Sequence, residues 1–370
     1  MILQSRKIFL LICIFLSQNL LAQENNAKYT YSLGAEFFTG FIIKHHDDIG
    51  HLIKGHPTGA RLKFSKYSYG AKAWEQRYGY PTFTSTLSYY DLKNDDVLGK
   101  IVSLDAAMAF HLNDITTSKN DFQTYVGFGL AYVSNPYHPD TNNKNNLISS
   151  RWPWTFKIGV NYYRQVSARF KAGLSLQLSH FSNASRQLPN YGLNIANINI
   201  GAKYNLSESE PKYLSDKLTG ASFNRKSYIN LDFRMGKVEL SPVGSGSSPY
   251  YSISLFWNKQ VGTKSILDAG VEAFANKALE KYISKNQLLI EEEDDYRCIG
   301  IMVGHELLLN KLSFVTQLGF YAYKPYVPDE RIYFKVGLKY YFTEHIYSSF
   351  ILKTHFAVAE VFEYGIGIRI

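Results

Sequence analysis

Residues 174–182 read Leu-Ser-Leu-Gln-Leu-Ser-His-Phe-Ser, and this alternation of apolar and polar side chains is typical of a β-strand. Successive side chains of a strand point to opposite faces, so the leucines share one face with His180 and Ser182. In a soluble sandwich that face would be core, and its polar groups would need buried partners. In a membrane barrel the same face meets lipid. A base and a hydroxyl at its end would then point toward lipid.

The same alternation recurs along the chain. Between Ile332 and Phe342, apolar and aromatic residues alternate with a set that includes Lys335 and Lys339. Residues 362–370 alternate in the same way. Each such segment has about the 9–11 residues that a tilted membrane strand requires. The predicted fold class is therefore all-β, a transmembrane antiparallel β-barrel, with a large soluble sandwich as the alternative.

The pattern predicts sixteen strands, an even number that places both ends of the barrel chain on the periplasmic side. The predicted strands are 28–43, 57–69, 80–92, 100–112, 121–134, 154–166, 168–182, 192–206, 227–240, 250–261, 264–275, 296–308, 312–324, 331–342, 346–356 and 361–370. We expect one barrel over residues 23–370, with a motif-bearing half at 23–206 and a second half at 227–370. The runner-up is an eight-stranded barrel over 23–206 followed by a second β domain.

The connections support this strand order. Tight turns at Ser167, Gly262 and Asn310 fall on the periplasmic side, while the loops 44–56 and 135–153 fall on the outer side. The loop 276–295 is also outer, and its residues 276–290 fit a short amphipathic helix. By the same parity, the connection 183–191 lies on the outer side. His180 then reaches the outer leaflet.

The N-terminus predicts export. Arg6 and Lys7 precede the apolar run 8–16, and Ala22 stands at a cleavage position, so residues 1–22 have the layout of a signal peptide. Cleavage leaves Cys298 as the one remaining cysteine, which excludes an intramolecular disulfide. An exported barrel without a disulfide framework is expected in the bacterial outer membrane.

The stretch after residue 179 carries a resemblance to a known family. Residues 180–184, His-Phe-Ser-Asn-Ala, and residues 189–192, Pro-Asn-Tyr-Gly, resemble the motif of the lipid A 3-O-deacylase (acyloxyacyl hydrolase) family of outer-membrane barrels. Residues 352–368 resemble the ending of its longer, Bacteroidetes-type members. The resemblance extends over residues 23–370, although its specific part is short.

The resemblance implies roles for single residues. His180 would be the catalytic base and Ser182 the nucleophile, with Asn183 and Asn190 near the oxyanion. The third catalytic residue of the family is a glutamate, and the matching position here is Asn194. An asparagine can accept a hydrogen bond from the imidazole through its amide oxygen, but it supplies no charge.

Period-two counting brings the same residues together independently of the family. On the next strand, Asn194 shares an apolar face with Ala196, Ile198 and Ile200. It therefore projects from the same lipid-facing surface as His180. A serine becomes a useful nucleophile when an adjacent base takes its proton, and ester hydrolysis also needs donors for the oxyanion.

The function predicted from these observations is an outer-membrane serine esterase that removes an ester-linked acyl chain from lipid A of lipopolysaccharide. The alternative is a non-catalytic barrel, either a pore or a degenerate family member that binds lipopolysaccharide. No cofactor is expected. The histidines of 44–56 and the acidic run 291–295 are read as loop residues without a defined metal geometry. The sequence carries no nucleotide or nucleic-acid motif.

Overall fold

The computed structural model describes residues 29–207, 211–215, 225–286, 295–326, 330–356 and 358–370. The strands, numbered in chain order, are β1 Tyr29–Ile42, β2 Thr58–Ser68, β3 Thr82–Asp91, β4 Lys100–His111, β5 Asn120–Val133, β6 Trp154–Gln165, β7 Phe170–Ser182, β8 Leu193–Asn205, β9 Ser227–Val238, β10 Ser248–Gln260, β11 Ser265–Asn276, β12 Arg297–Leu309, β13 Leu312–Tyr323, β14 Ile332–Tyr341, β15 Ile346–His355 and β16 Val358–Arg369. The helices are a short 3₁₀ helix, Asp47–Leu52, and the α-helices α1, Ala73–Arg77, and α2, Lys277–Lys285.

The predicted strands are confirmed over the described residues, and every pair is antiparallel. Helix α2 confirms the expected helix within 276–290; it is capped by Asn276, whose side chain accepts the amide protons of Ala278 and Leu279. The predicted signal peptide, residues 1–22, and most of the acidic run 291–295 lie outside the described residues.

The strands form two closed barrels, β1 to β8 and β9 to β16. The first-choice prediction of a single sixteen-stranded barrel is therefore wrong, and the arrangement is that of the runner-up. Strand β8 returns to pair with β1, and β16 pairs with β9. All chain neighbours except β8 and β9 pair in the same way in one ring or in two, so strand alternation did not distinguish them.

Closure of the first barrel depends on a close approach at Gly201. This residue lies opposite Glu36 in the β1–β8 pair. A Cβ at position 201 would lie 2.2 Å from the carbonyl oxygen of Ala35 and 2.5 Å from Glu36 Cγ. The absence of a side chain lets the last strand reach the first.

Each barrel wall has an apolar outside and a polar inside. On β7, the leucines at 174, 176 and 178 are exposed, while Ser175, Gln177 and Ser179 are buried in the lumen. Exposed apolar residues continue around both barrels, including Ile198 and Ile301. This outward apolar band is what a membrane-spanning barrel presents to lipid. Within the described residues, no helix is long and apolar enough to cross a membrane.

The lumen of the first barrel is filled by paired charges. Lys157 forms an ion pair with Asp105 and donates to the hydroxyls of Ser88 and Ser103 at 3.1 and 3.0 Å. The second barrel has the same kind of interior. Glu272 accepts from both Arg234, at 2.7 Å, and Lys335, at 2.8 Å. An eight-stranded barrel leaves an interior that side chains alone can fill.

The end of each barrel that carries the long connections is called here the loop end, and the opposite end the turn end. In the first barrel, an apolar cluster closes the loop end. It includes Ile49 and Leu52 of the 3₁₀ helix, Leu147 and Ile148 of the 134–153 loop, and Phe181 from the wall. These loops therefore fold inward over the lumen.

The two barrels touch at both ends. At the turn end, Arg77 donates to the carbonyl of Thr263, at 3.0 Å. Near the loop end, the Trp154 ring packs against Phe350 and Phe362 of the second barrel, with centroid distances of 5.1 and 6.0 Å. The barrels are thus held side by side along their length.

We expect Lys157→Ala to lower the free energy of unfolding by about 3–5 kcal/mol, because it leaves the Asp105 carboxylate buried without its cation. The double variant Lys157→Met with Asp105→Leu should recover most of this loss. Urea unfolding of the full chain in detergent micelles measures both. Lys226→Ala, which breaks the exposed pair with Glu344 at the turn end, should leave stability unchanged. If Lys157→Ala and Lys226→Ala lowered the free energy of unfolding equally, the stabilising role of the buried ion pair would be contradicted.

Candidate functional site

His180 and Asn194 lie directly opposite each other on β7 and β8. Their side chains are on the outward face, as period-two counting predicted. The Nδ1 atom of His180 is 2.7 Å from the amide oxygen of Asn194. Because that oxygen accepts, the proton of a neutral His180 ring resides on Nδ1. The Nε2 atom is then left with a lone pair, as a general base requires.

Ser182 lies two residues further along the same face of β7, opposite Trp154 of β6. Its side chain is 6% exposed. The hydroxyl oxygen accepts from the backbone N–H of Ala184, at 3.1 Å, and from the amide of Asn190, at 2.8 Å. Its own proton remains available for donation. Within the described part of the chain, His180 and Ser182 share a face without a direct hydrogen bond, and such bonds often tighten only when substrate binds.

The connection 183–192 supplies both donors. Ala184 has a left-handed backbone, with φ of 53°, which turns its N–H back toward Ser182. The Asn190 amide also donates to the carbonyl of Ala184 at 2.7 Å, so it ties the two ends of the connection together. Both donors are therefore held by the fold of this loop.

Asn183 and Asn190, the two oxyanion candidates, have different positions. Asn190 contacts the hydroxyl of Ser182, whereas the amide of Asn183 donates to the Ser149 hydroxyl, at 3.0 Å, and to the carbonyl of Gln187. The side chain of Asn183 is thus used in holding the loops together. It is directed away from Ser182.

Gly192 forms the wall beside the imidazole. Its φ of +79° is in the left-handed region. A Cβ there would lie 2.8 Å from Cε1 of His180 and 3.6 Å from Nε2. A glycine at this position therefore keeps the basic edge of His180 open.

His45 adds a contact that the sequence did not predict. Its Nε2 lies 3.0 Å from the carbonyl oxygen of Tyr191, and its Nδ1 lies 3.3 Å from the amide nitrogen of Asn194. In the tautomer that carries its proton on Nε2, the ring donates to Tyr191 and Nδ1 accepts from Asn194. The Asn194 amide is thereby oriented with its oxygen toward His180.

The Nδ1 atom of His45 also lies 3.1 Å from the carbonyl oxygen of Ile43. In the other neutral tautomer, Nδ1 carries the proton and donates to this carbonyl. The acceptor for the Asn194 amide would then be lost. The orientation of Asn194 thus depends on which ring nitrogen of His45 carries the proton.

Two family models match most of the chain. Residues 58–203 match the model described as lipid A 3-O-deacylase (PagL), and residues 226–370 match the model described as acyloxyacyl hydrolase, C-terminal domain. The chain belongs to the lipid A 3-O-deacylase family. The first range contains the strand pair that carries His180, Ser182 and Asn194. No curated protein matches the sequence.

Solved structures of outer-membrane barrels also align with this family member. Neisserial surface protein A is 10% identical, with a TM-score of 0.30, over 49% of this chain and 99% of that chain. A triple mutant of the Rhodopseudomonas blastica porin is 8% identical, with a TM-score of 0.17, over 92% of this chain and 100% of that chain.

The other histidines of the 44–56 loop make separate contacts in this deacylase-family chain. His46 stacks on Tyr191, with centroids 4.2 Å apart. His51 bonds the carbonyl of Lys144 at 3.0 Å, and His56 bonds that of Gly40 at 3.1 Å. Across the described residues, no group of three or more histidine, cysteine, aspartate or glutamate side chains is arranged to hold a metal ion.

Sequence reasoning named His180, Ser182, Asn194 and Asn190 of the candidate site, and it missed His45. It read His45 as part of a histidine-rich loop. The adjacent Lys44-His45-His46 was the available signal, but it does not reveal a partner 149 positions away. The structure identifies that partner because the loop folds over the β7–β8 pair.

We expect Gly192→Ala to displace the His180 ring and lengthen its Nδ1 bond to Asn194, because the new Cβ meets Cε1. A crystal structure of the folded variant measures both changes. Gly79→Ala is the matched control, since Gly79 also has a positive φ, of 68°, but its Cβ would meet open space. An unmoved ring in Gly192→Ala would show that the site tolerates a side chain at this wall.

Proposed function

We propose that this chain is an outer-membrane serine esterase that removes an ester-linked acyl chain from lipid A. The observation that carries the proposal is the His180 imidazole. Asn194 holds its Nδ1, and its Nε2 is open on the outward face that also bears Ser182. Family membership supplies the reaction class.

The reaction begins with Ser182. Its oxygen attacks the ester carbonyl carbon as its proton passes to Nε2 of His180. The tetrahedral intermediate collapses when the bond to the lipid A alcohol breaks, and His180 returns the proton to that alcohol. Water, deprotonated by His180, then attacks the acyl-enzyme. This step releases the free fatty acid and restores the serine hydroxyl.

Charge that develops on the reacting oxygens needs donors. The Asn190 amide and the Ala184 N–H already bond the oxygen of Ser182. They support negative charge on the Ser182 oxygen as attack begins, and the proposal is that they turn to the neighbouring oxyanion once the Ser182 oxygen has bonded to the acyl carbon. We therefore assign Asn190, rather than the side chain of Asn183, to this role.

The site lies on the outward surface of the barrel wall, so a lipid substrate would reach it from the membrane without entering a pocket. His180 stands at the end of the exposed leucine row of β7, beside the half-exposed Phe156 of β6. An acyl chain in the membrane would lie along this row, with its ester near the loop end. This requires the loop end to face the outer leaflet, in agreement with the strand parity.

The pore alternative has little support from the interior. Paired side chains such as Lys157 and Asp105 fill the first lumen, and the apolar cluster covers its loop end. The other alternative, a barrel that binds lipopolysaccharide without cleaving it, makes the opposite prediction to ours in a direct assay.

We expect cells that express the wild-type chain to yield lipid A lighter by one acyl chain, and Ser182→Ala or His180→Ala to abolish the change. The serine variant has no nucleophile, and the histidine variant has no base. Mass spectrometry of extracted lipid A measures the outcome. Ser179→Ala is the matched control, because Ser179 is on β7 but points into the lumen.

Folding must be checked in the same cells. Because His180 and Ser182 project from the wall, each variant should keep heat-modifiable migration on gels. Unchanged lipid A with a folded, surface-inserted wild-type chain would favour the non-catalytic alternative. Wild-type turnover in either active-site variant would refute its assigned role.

Asn194 gives a second test. Asn194→Ala removes the acceptor for His180 Nδ1, and a hydrogen bond to a charged group contributes about 1.5–3 kcal/mol. We expect turnover to fall about ten- to hundredfold. Asn194→Glu keeps an acceptor and adds a charge that stabilises the imidazolium, so turnover should rise. In a well-studied triad, loss of the acid costs about four orders of magnitude, which is the upper bound for this gain.

Both Asn194 variants are assayed as purified protein on lipid A in mixed micelles. In Asn194→Glu the second carboxylate oxygen faces His45, whose Nδ1–H tautomer can donate to it and hold the carboxylate in place. The gain should therefore be smaller in the double variant with His45→Ala. If both substitutions at Asn194 left turnover unchanged, another group would have to orient His180.

A further inference from the structure

The connection 183–192 of the first barrel is bound by the second barrel. The contact is built around Glu239, which follows the end of β9 and is 2% exposed. One oxygen of its carboxylate, Oε2, accepts the N–H of Leu188 at 2.7 Å. The other, Oε1, accepts the N–H groups of Gly244 and Gly246 at 2.8 and 3.1 Å. Hydrogen bonds of this kind offset the cost of burying a carboxylate.

A second set of bonds lies beside the first. The N–H of Glu239 donates to the carbonyl of Ser185 at 2.7 Å, and the Ser185 hydroxyl donates to the carbonyl of Ala359 at 2.8 Å. The Ser247 hydroxyl donates to the carbonyl of Arg186. The segment 185–188 is therefore fixed to the second barrel at several points.

The fixed segment lies between the two donors that bond Ser182. Ala184 precedes it by one residue, and Asn190 follows it by two. A shift of 185–188 would move both donors, because both belong to the same short loop. The orientation of the groups around the nucleophile thus depends on a carboxylate from the other barrel.

We propose that Glu239 is a positioning residue for the active site, and that the C-terminal barrel completes the esterase site of the N-terminal barrel. This inference rests on the proposed function. Glu239 acts through Leu188 and the loop, and it does not touch Ser182 or His180.

Attachment of the barrels to each other does not depend on Glu239 alone. Trp154 packs on Phe350 near the loop end, and Tyr78 donates to the carbonyl of Leu308 at the turn end, at 2.8 Å. Removal of the carboxylate should therefore loosen the loop while the two barrels stay docked. A purely structural role would lower stability without a selective effect on the loop.

The test is Glu239→Ala in the full chain in detergent micelles, with two readouts. Backbone hydrogen exchange at 185–190 should become at least about tenfold faster, because Leu188 loses its acceptor. The kcat on lipid A should fall on the order of a hundredfold, with KM little changed, because the donors at Ser182 are misplaced. Glu330→Ala is the matched control, since its exposed side chain is at the loop end of the same barrel.

Glu239→Gln is the second variant, in case the alanine variant does not fold. A glutamine keeps one acceptor oxygen, so it can serve either Leu188 or the two glycines. An intermediate loss of kcat, with faster exchange on the side that loses its acceptor, would support the proposal. Wild-type kcat in both variants would overturn it, whatever the exchange rates.

The two possible failures are distinguishable. An inactive wild-type chain would overturn the proposed function and, with it, the catalytic consequence of Glu239. Unaltered exchange at 185–190 in Glu239→Ala would overturn the positioning role itself. The exchange measurement needs no turnover, so it separates the second result from the first.

Discussion

Closure of each sheet on itself is the constraint on which the rest of the structure depends. In a membrane, every backbone N–H and C=O needs a partner within the protein, so a sheet that spans it cannot leave an open edge. The pairing of β8 with β1, across Gly201, meets this need for the first barrel. Once the ring is closed, each residue faces either lumen or lipid. His180 and Ser182 are outward for this reason and not because of any local preference of their own.

The alternation of side chains along a strand is a local property, so the features that follow from it could be predicted from the sequence. It located the strands, and it placed His180, Ser182 and Asn194 on one face; the structure has the first and last directly opposite each other. Ring closure is not local. One barrel and two barrels share every chain-neighbour pairing except that of β8 with β9, and they differ in which strands close the ring. The sequence did carry one signal for two rings, because the long connection 207–226 falls on the side of the tight turns and divides the chain nearly in half.

The contacts that refine the site come from loops, which have no periodicity to read. His45 reaches Asn194 because the 44–52 segment folds over the loop end, where Ile49 and Leu52 enter the apolar cluster. Asn183 stands next to Ser182 in sequence, yet its amide bonds Ser149. The family resemblance therefore implied a role beside Ser182 that the side chain of Asn183 does not take, and distance in sequence concealed the contact of His45. Glu239 lies 51 positions from Leu188, but it belongs to the other ring, so counting along the strands gave no sign of this contact.

The asparagine at 194 gives these loop contacts their importance. A glutamate would orient the imidazole and balance its charge in one residue. An amide has two chemically different ends, so it accepts from His180 reliably only if something fixes its rotation. His45 does this by accepting from the nitrogen end, and Tyr191 fixes His45 in turn. Tyr191 and Gly192 belong to the loop that Glu239 holds. A carboxylate at position 194 would orient the imidazole alone. Here the orientation of His180 depends on several contacts, and these extend from the β7–β8 pair to the second barrel. The resting site avoids a buried negative charge at the lipid boundary, and the orientation of its imidazole depends on the loops instead.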